Sequence, residues 1–343
     1  MGFEVSLVGR KLRSSLPLNR NYRTHRMGLM FTRGPLFYAE YNLRLFFYLL
    51  FRKTDLLVAN DLDTLLPNFL IHKIKGANLV YDSHEYYTET PELVNRPFVK
   101  GIWEWIEGII FPKLRDVFTV NESIAGLYAE KYGITPKVVR NIPATMVMDE
   151  PRSRRALGLP EDKYIVLMQG AGINIQRGAE EAIEAIQFVD NAVLLIIGAG
   201  DVIGQLKQQA DRPELEGRVI FLPKMPYSEL MHYTRAADIG LTLDKDTNIN
   251  YRYSLPNKLF DYIHAGIPVL ASHLPEVSRI VEGYNIGLVT DSHHPETLAF
   301  HIRQMLQDET ARKRWKDCLA VAARELNWEN EEVVLKSVYQ KYV

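Results

Sequence analysis

The sequence has almost no cysteine and no apolar run long enough to cross a membrane. Its single cysteine, Cys318, excludes an intramolecular disulfide and argues against a thiolate metal site. A transmembrane helix needs about 18 consecutive apolar residues, and the longest strong run, Leu45 to Phe51, is far shorter. The first residues also lack the basic-then-apolar order of a signal peptide. We therefore predict a cytoplasmic protein that does not span a bilayer.

Neither sign of charge dominates the 343 residues. Lysine and arginine number 41 and aspartate and glutamate 42, so the formal net charge is -1. A dedicated nucleic-acid-binding protein carries a clear basic surplus, so we expect no nucleic-acid partner. The length exceeds what one hydrophobic core usually serves, and the sequence is therefore expected to form two domains.

Short apolar runs alternate with helical patterns along most of the chain. Strands are predicted at Asp55 to Ala59, Asn78 to Asp82, Val117 to Val120, Lys137 to Val139, Tyr164 to Gln169, Val193 to Ile197, Arg218 to Phe221, Asp238 to Leu243, Pro268 to Ala271 and Gly287 to Val289. Parallel strands need long crossover connections, usually helices. The alternation therefore predicts α/β domains with parallel sheets, which bind ligands beyond the carboxyl ends of their strands.

The alternation breaks between residues 140 and 155, where Arg140-Asn141-Ile142-Pro143 is followed by Pro151. We place the domain boundary there, with residues 1–145 as the first domain and 146–325 as the second. From His294 onward the sequence predicts helices, and residues 326–343 form the last of them.

Two glycine-bearing turns follow predicted strands of the second domain. The first is Gln169-Gly170-Ala171-Gly172, which continues to Arg177-Gly178, and the second is Ile197-Gly198-Ala199-Gly200. Glycine lets the backbone approach a phosphate, and the amides at a helix start favour its charge. Each turn taken alone is equally compatible with a turn that binds nothing.

A more specific pattern runs from Ser254 to Val269. Pro256 stands at a predicted helix start, so Asn257 and Lys258 lie where free backbone N–H groups collect. Asp261 lies one turn later and can share their side of the helix. A lysine neutralises a phosphate and a carboxylate accepts hydrogen bonds from ribose hydroxyls. The alternative is a solvated Lys-Asp pair.

The order and spacing of these segments resemble the retaining glycosyltransferases of family 4 (group 1), which have the GT-B fold. The resemblance is carried by Tyr81-Asp82-Ser83-His84-Glu85, Thr119-Val120-Asn121-Glu122-Ser123, Arg140-Asn141-Ile142-Pro143, Gly170 to Gly178, Pro256-Asn257-Lys258-Leu259-Phe260-Asp261-Tyr262 and Ala265-Gly266-Ile267-Pro268-Val269. It implies two Rossmann-like domains that face each other across a cleft. The second would hold a nucleotide-sugar donor, the first would hold the acceptor, and the C-terminal helix would cross back to the first.

The resemblance also assigns roles to residues of the second domain. The donor-binding residues predicted from the turns and from the resemblance are Gly170, Gly172, Gly198, Asn257, Leu259 and Asp261. Arg177 and Lys258 would contact the diphosphate. Asp261 matches the second glutamate of the family's Glu-x7-Glu motif, one methylene shorter, and Tyr253 replaces the first.

In the first domain, His84 matches a histidine that lies over the donor sugar in the family. We therefore predict His84, Arg177 and Lys258 as catalytic residues, and Asp61 and Glu85 as acceptor-side residues. The alternatives are a structural role for His84 and a helix N-cap role for Asp61.

The expected donor is a UDP- or GDP-sugar, and neither a cofactor nor a metal is predicted. Two Asp-x-Asp segments, Asp61-Leu62-Asp63 and Asp244-Lys245-Asp246, resemble metal sites of other glycosyltransferases. About one such match arises by chance in a chain of this length, so neither is assigned to a metal. The resemblance implies transfer with retention to a glycan or lipid-linked acceptor, as in the biosynthesis of surface polysaccharides and glycoconjugates.

Two other functions fit the same fold. A sugar-nucleotide 2-epimerase would need several carboxylates and histidines in its cleft, whereas the sequence offers only His84 with Glu85. A non-catalytic subunit is the second alternative, because Tyr253 and Asp261 depart from the family pattern.

The first 53 residues differ in charge from the rest of the chain. They contain ten basic and two acidic residues, a surplus of eight positive charges, beside the apolar stretch Leu43 to Phe51. This pattern predicts peripheral contact with an anionic inner membrane face. The alternative is a buried helix with solvated arginines. The segment Gly2 to Val8 resembles the family's second strand, so we expect that the true start lies upstream and that the first strand and its glycine loop are missing.

Overall fold

The computed structural model describes residues 1–13, 15, 17–145 and 150–343. These residues form two compact α/β units. The N-terminal unit comprises Met1–Arg140 together with Glu332–Val343, and the C-terminal unit comprises Asn141–Glu331. The domain boundary predicted between residues 145 and 146 falls at the edge of residues 146–149, which lie outside the described residues.

The N-terminal unit contains two parallel sheets. Its strands are β1 Ser6–Lys11, β2 Arg23–Gly28, β3 Leu56–Asn60, β4 Asn78–Ser83, β5 Asp116–Thr119 and β6 Lys137–Val138. The first two pair with each other, and the other four form a sheet in chain order. Successive parallel neighbours with right-handed crossovers place their connecting helices on one face of the sheet.

The sequence-based prediction of the first strand was wrong in its limits. The strand begins at Ser6 and continues to Lys11, beyond the predicted end at Val8. The strand β2 was missed because its sequence, Arg-Thr-His-Arg-Met-Gly, has no apolar alternation and is mostly exposed. The expectation of a missing first strand stays a prediction.

The helices of the N-terminal unit cover the four-stranded sheet. They are α1 Pro35–Leu50, α2 Leu62–Lys75, α3 Pro91–Val94, α4 Pro97–Ile110 and α5 Glu122–Tyr132. The apolar run that the sequence singled out lies in α1 and at its end. Leu45 and Leu49 are 4% and 6% exposed, whereas Phe47 and Phe51 are 48% and 81% exposed. The buried-helix interpretation therefore holds for one side of the run.

The C-terminal unit is built on one six-stranded parallel sheet. Its strands are β7 Tyr164–Gly170, β8 Ala192–Gly198, β9 Val219–Pro223, β10 Ile239–Thr242, β11 Val269–Ser272 and β12 Gly287–Thr290. They overlap the six strands predicted for this part of the sequence. The spatial order is β12-β11-β10-β7-β8-β9, so the chain reverses direction across the sheet between β7 and β10. A crevice forms at the carboxyl ends of strands at such a switch point.

The remaining helices are α6 Ala179–Ile186, α7 Ile203–Ala210, α8 Tyr227–Ala236, α9 Ile249–Arg252, α10 Asn257–Ala265, α11 Pro275–Gly283, α12 Pro295–Gln307, α13 Glu309–Glu325 and α14 Trp328–Tyr339. The last of these begins in the C-terminal unit and ends in the N-terminal unit. Among the described residues, no helix has the length and apolar character needed to cross a membrane.

The C-terminal residues pack on the sheet of the N-terminal unit, as the resemblance implied. Val338 is fully buried against Val80 and Phe118. The ring of Tyr339 stacks on Phe118 at 6.0 Å, and the ammonium of Lys341 lies 2.7 Å from the Asp116 carboxylate. These contacts tie the end of the chain to strands β4 and β5.

We expect Val338→Ala to lower the free energy of unfolding of the N-terminal unit by about 2 kcal/mol, because it removes two buried methyl groups and leaves a cavity. Val333 lies on the same helix but is 63% exposed, so Val333→Ala is the matched control with almost no effect. Urea denaturation followed by circular dichroism measures both. Equal stability of the two variants would contradict this packing.

Candidate functional site

Three charged residues are brought together at the switch point of the C-terminal sheet. Arg177 ends the loop after β7, Asp244 follows β10, and Lys258 is the second residue of α10. The Arg177 guanidinium lies 3.3 Å from both Asp244 oxygens and 4.9 Å above the ring of Tyr251. The arginine is therefore held in place by a carboxylate and an aromatic face.

This cluster contains two basic side chains and one carboxylate, a surplus of one positive charge. Asp244 is 1% exposed. Burial lowers the pKa of Lys258; the nearby Asp244 carboxylate opposes this effect, and Arg177 reinforces it. Within the described ranges the Lys258 ammonium has no hydrogen bond or ion pair. Two cations thus share one carboxylate, an arrangement that can bind an anion.

Asp244 was not predicted to belong to this site, because the sequence offered it only as part of a chance Asp-x-Asp match. A signal was available, because Asp244 directly follows a predicted strand and so lies at the ligand-binding edge of the sheet. The other carboxylate of that segment, Asp246, pairs with Arg252 at 2.9 Å. In the part of the chain that the structure describes, no group of three or more His, Cys, Asp or Glu could hold a metal.

Of the three glycines predicted to bind the donor, only one is required by the packing of its loop. A Cβ on Gly198, which has φ of +144°, would overlap the Gly170 carbonyl oxygen, so loop packing alone requires glycine there. At Gly170 and Gly172 the nearest atoms to an added Cβ lie 3.7 and 3.8 Å away. Packing does not require glycine at these two positions, and the space beside their backbone is open to a ligand.

Asp261 is turned toward the interior of the C-terminal unit. One carboxylate oxygen accepts a hydrogen bond from Gln169 Nε2 at 2.9 Å, and the other accepts one from the Tyr227 hydroxyl at 2.8 Å. The side chain is 8% exposed, and burial raises its pKa while these two hydrogen bonds oppose the rise. Each oxygen retains capacity for one further hydrogen bond.

The side chains of the α10 motif do not all face the same surroundings. Asn257 is exposed, Lys258 is half-buried, and Asp261 faces Gln169 and Tyr227. Leu259 is completely buried in the hydrophobic core. The Leu259 side chain therefore serves packing, and only its backbone is placed to meet a ligand at the helix start.

A second polar cluster lies at the carboxyl ends of β3 and β4 in the N-terminal unit. Asp61 has φ of +59°, a conformation that non-glycine residues rarely adopt. Its N–H donates to the Asp82 carbonyl at 2.8 Å, and its carboxylate accepts the His84 N–H at 2.8 Å. Asp61 occupies the N-cap position of α2, but its side chain makes no capping hydrogen bond. Its carboxylate therefore serves the loop of His84.

The imidazole of His84 lies between two carboxylates. Nδ1 is 3.5 Å from Asp61 and Nε2 is 3.3 Å from Asp82. The contact with Asp61, followed by the contact with Asp82, raises the pKa of His84 to about 10. Burial lowers the pKa, but by less. Burial and the neighbouring Asp61 charge raise the pKa of Asp63 to about 6.

The predicted site residues are thus divided between the two units. His84 and Asp61 are in contact in the N-terminal unit, and Asp82 joins them although the sequence assigned it no role. Glu85 follows His84 and is half-buried. Its backbone carbonyl accepts a hydrogen bond from the Ser83 hydroxyl at 2.9 Å. All the predicted donor-binding residues lie in the C-terminal unit.

The chain is similar in sequence to known glycosyltransferases. Residues 149–318 match the family described as Glycosyl transferases group 1. The D-inositol 3-phosphate glycosyltransferase of Corynebacterium glutamicum is 27% identical over 198 residues, which cover 55% of this chain and 46% of that protein. The chain spans about half the length of the curated relatives it matches.

Solved structures show the fold over almost the whole chain. Sucrose-phosphate synthase from Thermosynechococcus elongatus superposes with a TM-score of 0.80 and 18% identity, covering 99% of this chain and 89% of that one. HepE of Anabaena, solved in complex with UDP-glucose, gives a TM-score of 0.72 and 17% identity, covering 93% and 86%. The two units therefore have the GT-B fold.

We expect the His84 ring to be doubly protonated at pH 8 and to lose its proton near pH 10. In the unfolded chain the pKa of a histidine is about 6.5. The pairing of His84 with the two carboxylates therefore stabilises the folded state fully below pH 6.5, and this stabilisation is lost as the pH rises through 10. Side-chain 15N NMR from pH 6 to 11 measures the midpoint, with His84→Gln to assign the signal. Asp61→Asn should lower the midpoint, and a wild-type midpoint near 6.5 would refute the two-carboxylate clamp.

Proposed function

Because the chain belongs to the group 1 glycosyltransferases through residues 149–318, we propose that it transfers a sugar from a nucleoside-diphosphate sugar to a glycan or lipid-linked acceptor. The observation that carries the proposal is the surplus cation at the switch point. Arg177 and Lys258 share the single carboxylate of Asp244, so the site keeps a positive charge that attracts an incoming diphosphate. A UDP- or GDP-sugar supplies such a diphosphate.

Cleavage of the sugar–nucleotide bond builds negative charge on the departing diphosphate. Groups that stabilise this charge act best when they are fixed before it appears. Arg177 is fixed by Asp244 and Tyr251, and Lys258 needs no protein bond to be broken before it engages a phosphate. The open backbone at Gly170 and Gly172 adds amide donors to the same ligand.

In the N-terminal unit, we propose an electrostatic role for His84. Its imidazolium directs its two N–H groups toward Asp61 and Asp82, and the remaining lone pairs of these carboxylates can accept hydrogen bonds from sugar hydroxyls. A ring that holds both protons at neutral pH cannot act as a general base. Asp61 and Asp82 orient it. Asp61 and Glu85 remain the proposed acceptor-side residues, since both lie beside His84 at the carboxyl end of the sheet.

The proposed transfer retains the anomeric configuration. The bond between the anomeric carbon and the diphosphate oxygen breaks, the acceptor hydroxyl oxygen bonds to that carbon on the same face, and its proton passes to the departing diphosphate. No protein nucleophile is assigned, and Arg177 and Lys258 stabilise the leaving group in place of a metal. A lipid-linked acceptor in glycoconjugate biosynthesis would be met at the cytoplasmic face of a membrane. The basic surplus of the first 53 residues supports that location.

Removing either cation should slow transfer. Arg177→Ala also leaves the buried Asp244 carboxylate without its ion pair, so the melting temperature of each variant is measured alongside its activity. We expect Arg177→Ala and Lys258→Ala each to reduce kcat/KM by roughly 30- to 900-fold, because one such group contributes about 2 to 4 kcal/mol to the transition state. Arg212→Ala is the matched control, since Arg212 forms an exposed ion pair with Glu184 in the same unit.

The measurement is release of nucleotide from a panel of UDP- and GDP-sugars, with and without an acceptor. Near-normal turnover in both alanine variants would refute the role of these cations. Weak binding of every donor, with no nucleotide released by the wild type, would instead identify a non-catalytic subunit.

A chelator should leave the activity intact. The charge on the diphosphate is balanced in this proposal by Arg177 and Lys258, so activity in excess EDTA should equal activity in added magnesium. The same nucleotide-release assay measures both conditions. Loss of activity in EDTA with recovery on addition of manganese would contradict the metal-independent mechanism.

A further inference from the structure

The helix α4 exposes a row of large apolar side chains. Phe98, Ile102, Trp105 and Ile109 are 81%, 43%, 65% and 40% exposed. They are three or four residues apart, so they lie on one side of the helix. The other side is buried in the unit. A contiguous apolar face of this kind on a water-soluble surface marks an interaction site more often than chance.

The neighbouring helices continue this face. Leu43 and Phe47 on α1 and Phe51 directly after it are 59%, 48% and 81% exposed, and on α2, Leu70 and Ile74 are 41% and 59% exposed. We call these five residues and the four of α4 the outer patch.

The three helices that carry the outer patch form one layer. Strands β3, β4 and β5 are adjacent in order, so their connecting helices α2 and α4 lie on the same face of the sheet. Asn42 of α1 donates to the Asp63 carbonyl of α2 at 2.9 Å. Tyr38 of α1 contacts Trp103 of α4, with ring centroids 5.2 Å apart. The outer patch is therefore one surface.

Basic residues border the outer patch where the three helices end. Arg52 and Lys53 follow α1, Lys73 and Lys75 end α2, and Lys113 and Arg115 follow α4, all of them exposed. The ammonium groups of Lys73 and Lys113 both lie over the ring of Phe69, at 5.3 and 5.9 Å. The helix ends thus bring these charges together into a cationic rim.

Acidic side chains do not cancel this rim along α4. Lys100 pairs with Glu89 at 2.5 Å and also lies 3.8 Å from Glu104 of α4. Glu107 is buried, where it pairs with Lys131 at 3.0 Å. The surface therefore combines exposed aromatic and aliphatic side chains with a border of positive charge.

The apolar side chains and the cationic rim together favour one kind of partner for the outer patch over another. A second copy of the chain that presents the same patch would bring two cationic rims together, which like-charge repulsion opposes. An anionic bilayer attracts the rim, accepts the apolar side chains at its acyl boundary, and accommodates Trp105 at headgroup level.

We propose that the outer patch binds the surface of a bilayer that contains anionic lipids, with α4 as the main anchor. The proposal deepens the membrane location given above and rests on it, but it does not require glycosyl transfer. It also moves the contact from the basic N-terminal segment to the outer side of α1, α2 and α4.

The test is co-sedimentation with vesicles of phosphatidylcholine containing phosphatidylglycerol, and with vesicles of phosphatidylcholine alone, at low and high salt. We expect the wild type to bind the anionic vesicles more tightly. High salt should weaken that binding, because the screening length falls from about 10 Å at 0.1 M to about 3 Å at 1 M.

The double variant F98S/W105S should bind anionic vesicles at least about tenfold more weakly, since it removes two aromatic side chains from the buried face. Phe300 on α12 of the C-terminal unit is 56% exposed and lies outside the patch, so Phe300→Ser is the matched control and should bind like the wild type. Equal melting temperatures show that the variants fold.

Trp105 fluorescence gives an independent measurement. Its emission should shift to shorter wavelength on addition of anionic vesicles, and Trp105→Phe should remove the shift while retaining binding. No shift in the wild type would overturn the insertion of α4.

The outcomes separate this proposal from the proposed function. Wild-type affinity in F98S/W105S would overturn α4 as the anchor while leaving the membrane location standing. No vesicle binding by the wild type would overturn both membrane proposals without touching the donor assays of Arg177 and Lys258. A wild-type dimer that F98S/W105S abolishes, with no vesicle binding, would show that a second copy covers the patch.

Discussion

The ion pair between Arg177 and Asp244 is the interaction on which the candidate donor site depends. A carboxylate as buried as that of Asp244 is costly without a partner, and Arg177 is the partner that reaches it from the loop after β7. The pair therefore joins the two strands at which the chain reverses direction. Because Gly178 passes against Leu243, where a Cβ would overlap, the loop can come close enough for the pair to form.

Each unit holds a cationic side chain by ion pairing with carboxylates, but the surplus charge of the cluster is positive in the C-terminal unit and negative in the N-terminal unit. In the C-terminal unit one carboxylate holds a cation and leaves a second cation, Lys258, for a ligand. In the N-terminal unit two carboxylates, Asp61 and Asp82, hold the single imidazolium of His84. The first arrangement suits a diphosphate, and the second suits neutral hydroxyls, which can donate hydrogen bonds to the remaining lone pairs of the two carboxylates.

Much of the fold was predictable from the sequence where strands are buried on both faces. Strands β7 and β8 are nearly continuous apolar runs, so pattern alone located them. The edge strand β2 carried no such signal, because its side chains are mostly exposed and basic. The outer patch was also missed on α4, where apolar residues occur on both sides of the helix. Such a pattern does not indicate which side faces solvent.

Only those parts of the candidate site that lie within short sequence motifs were predictable. The resemblance located Arg177, Lys258 and His84, each within a short motif. The partners that define their charge lie far away in sequence, since Asp244 is 67 residues from Arg177 and Gln169 is 92 residues from Asp261. Sequence spacing placed Asp261 on the ligand side of α10, whereas long-range hydrogen bonds turn it inward. Pairing across such distances depends on strand order, which no local pattern gives.

In the proposed function, surplus positive charge at the switch point of the C-terminal sheet binds a diphosphate. Calorimetric titration of the wild-type chain with UDP and GDP, compared with uridine and guanosine, isolates the contribution of this charge. We expect at least one diphosphate to bind about tenfold or more tightly than its nucleoside, as one charge-assisted contact would give. We also expect Lys258→Met to remove most of the difference. Equal affinity for nucleoside and diphosphate, or a difference unchanged by Lys258→Met, would rule out this charge as the diphosphate site.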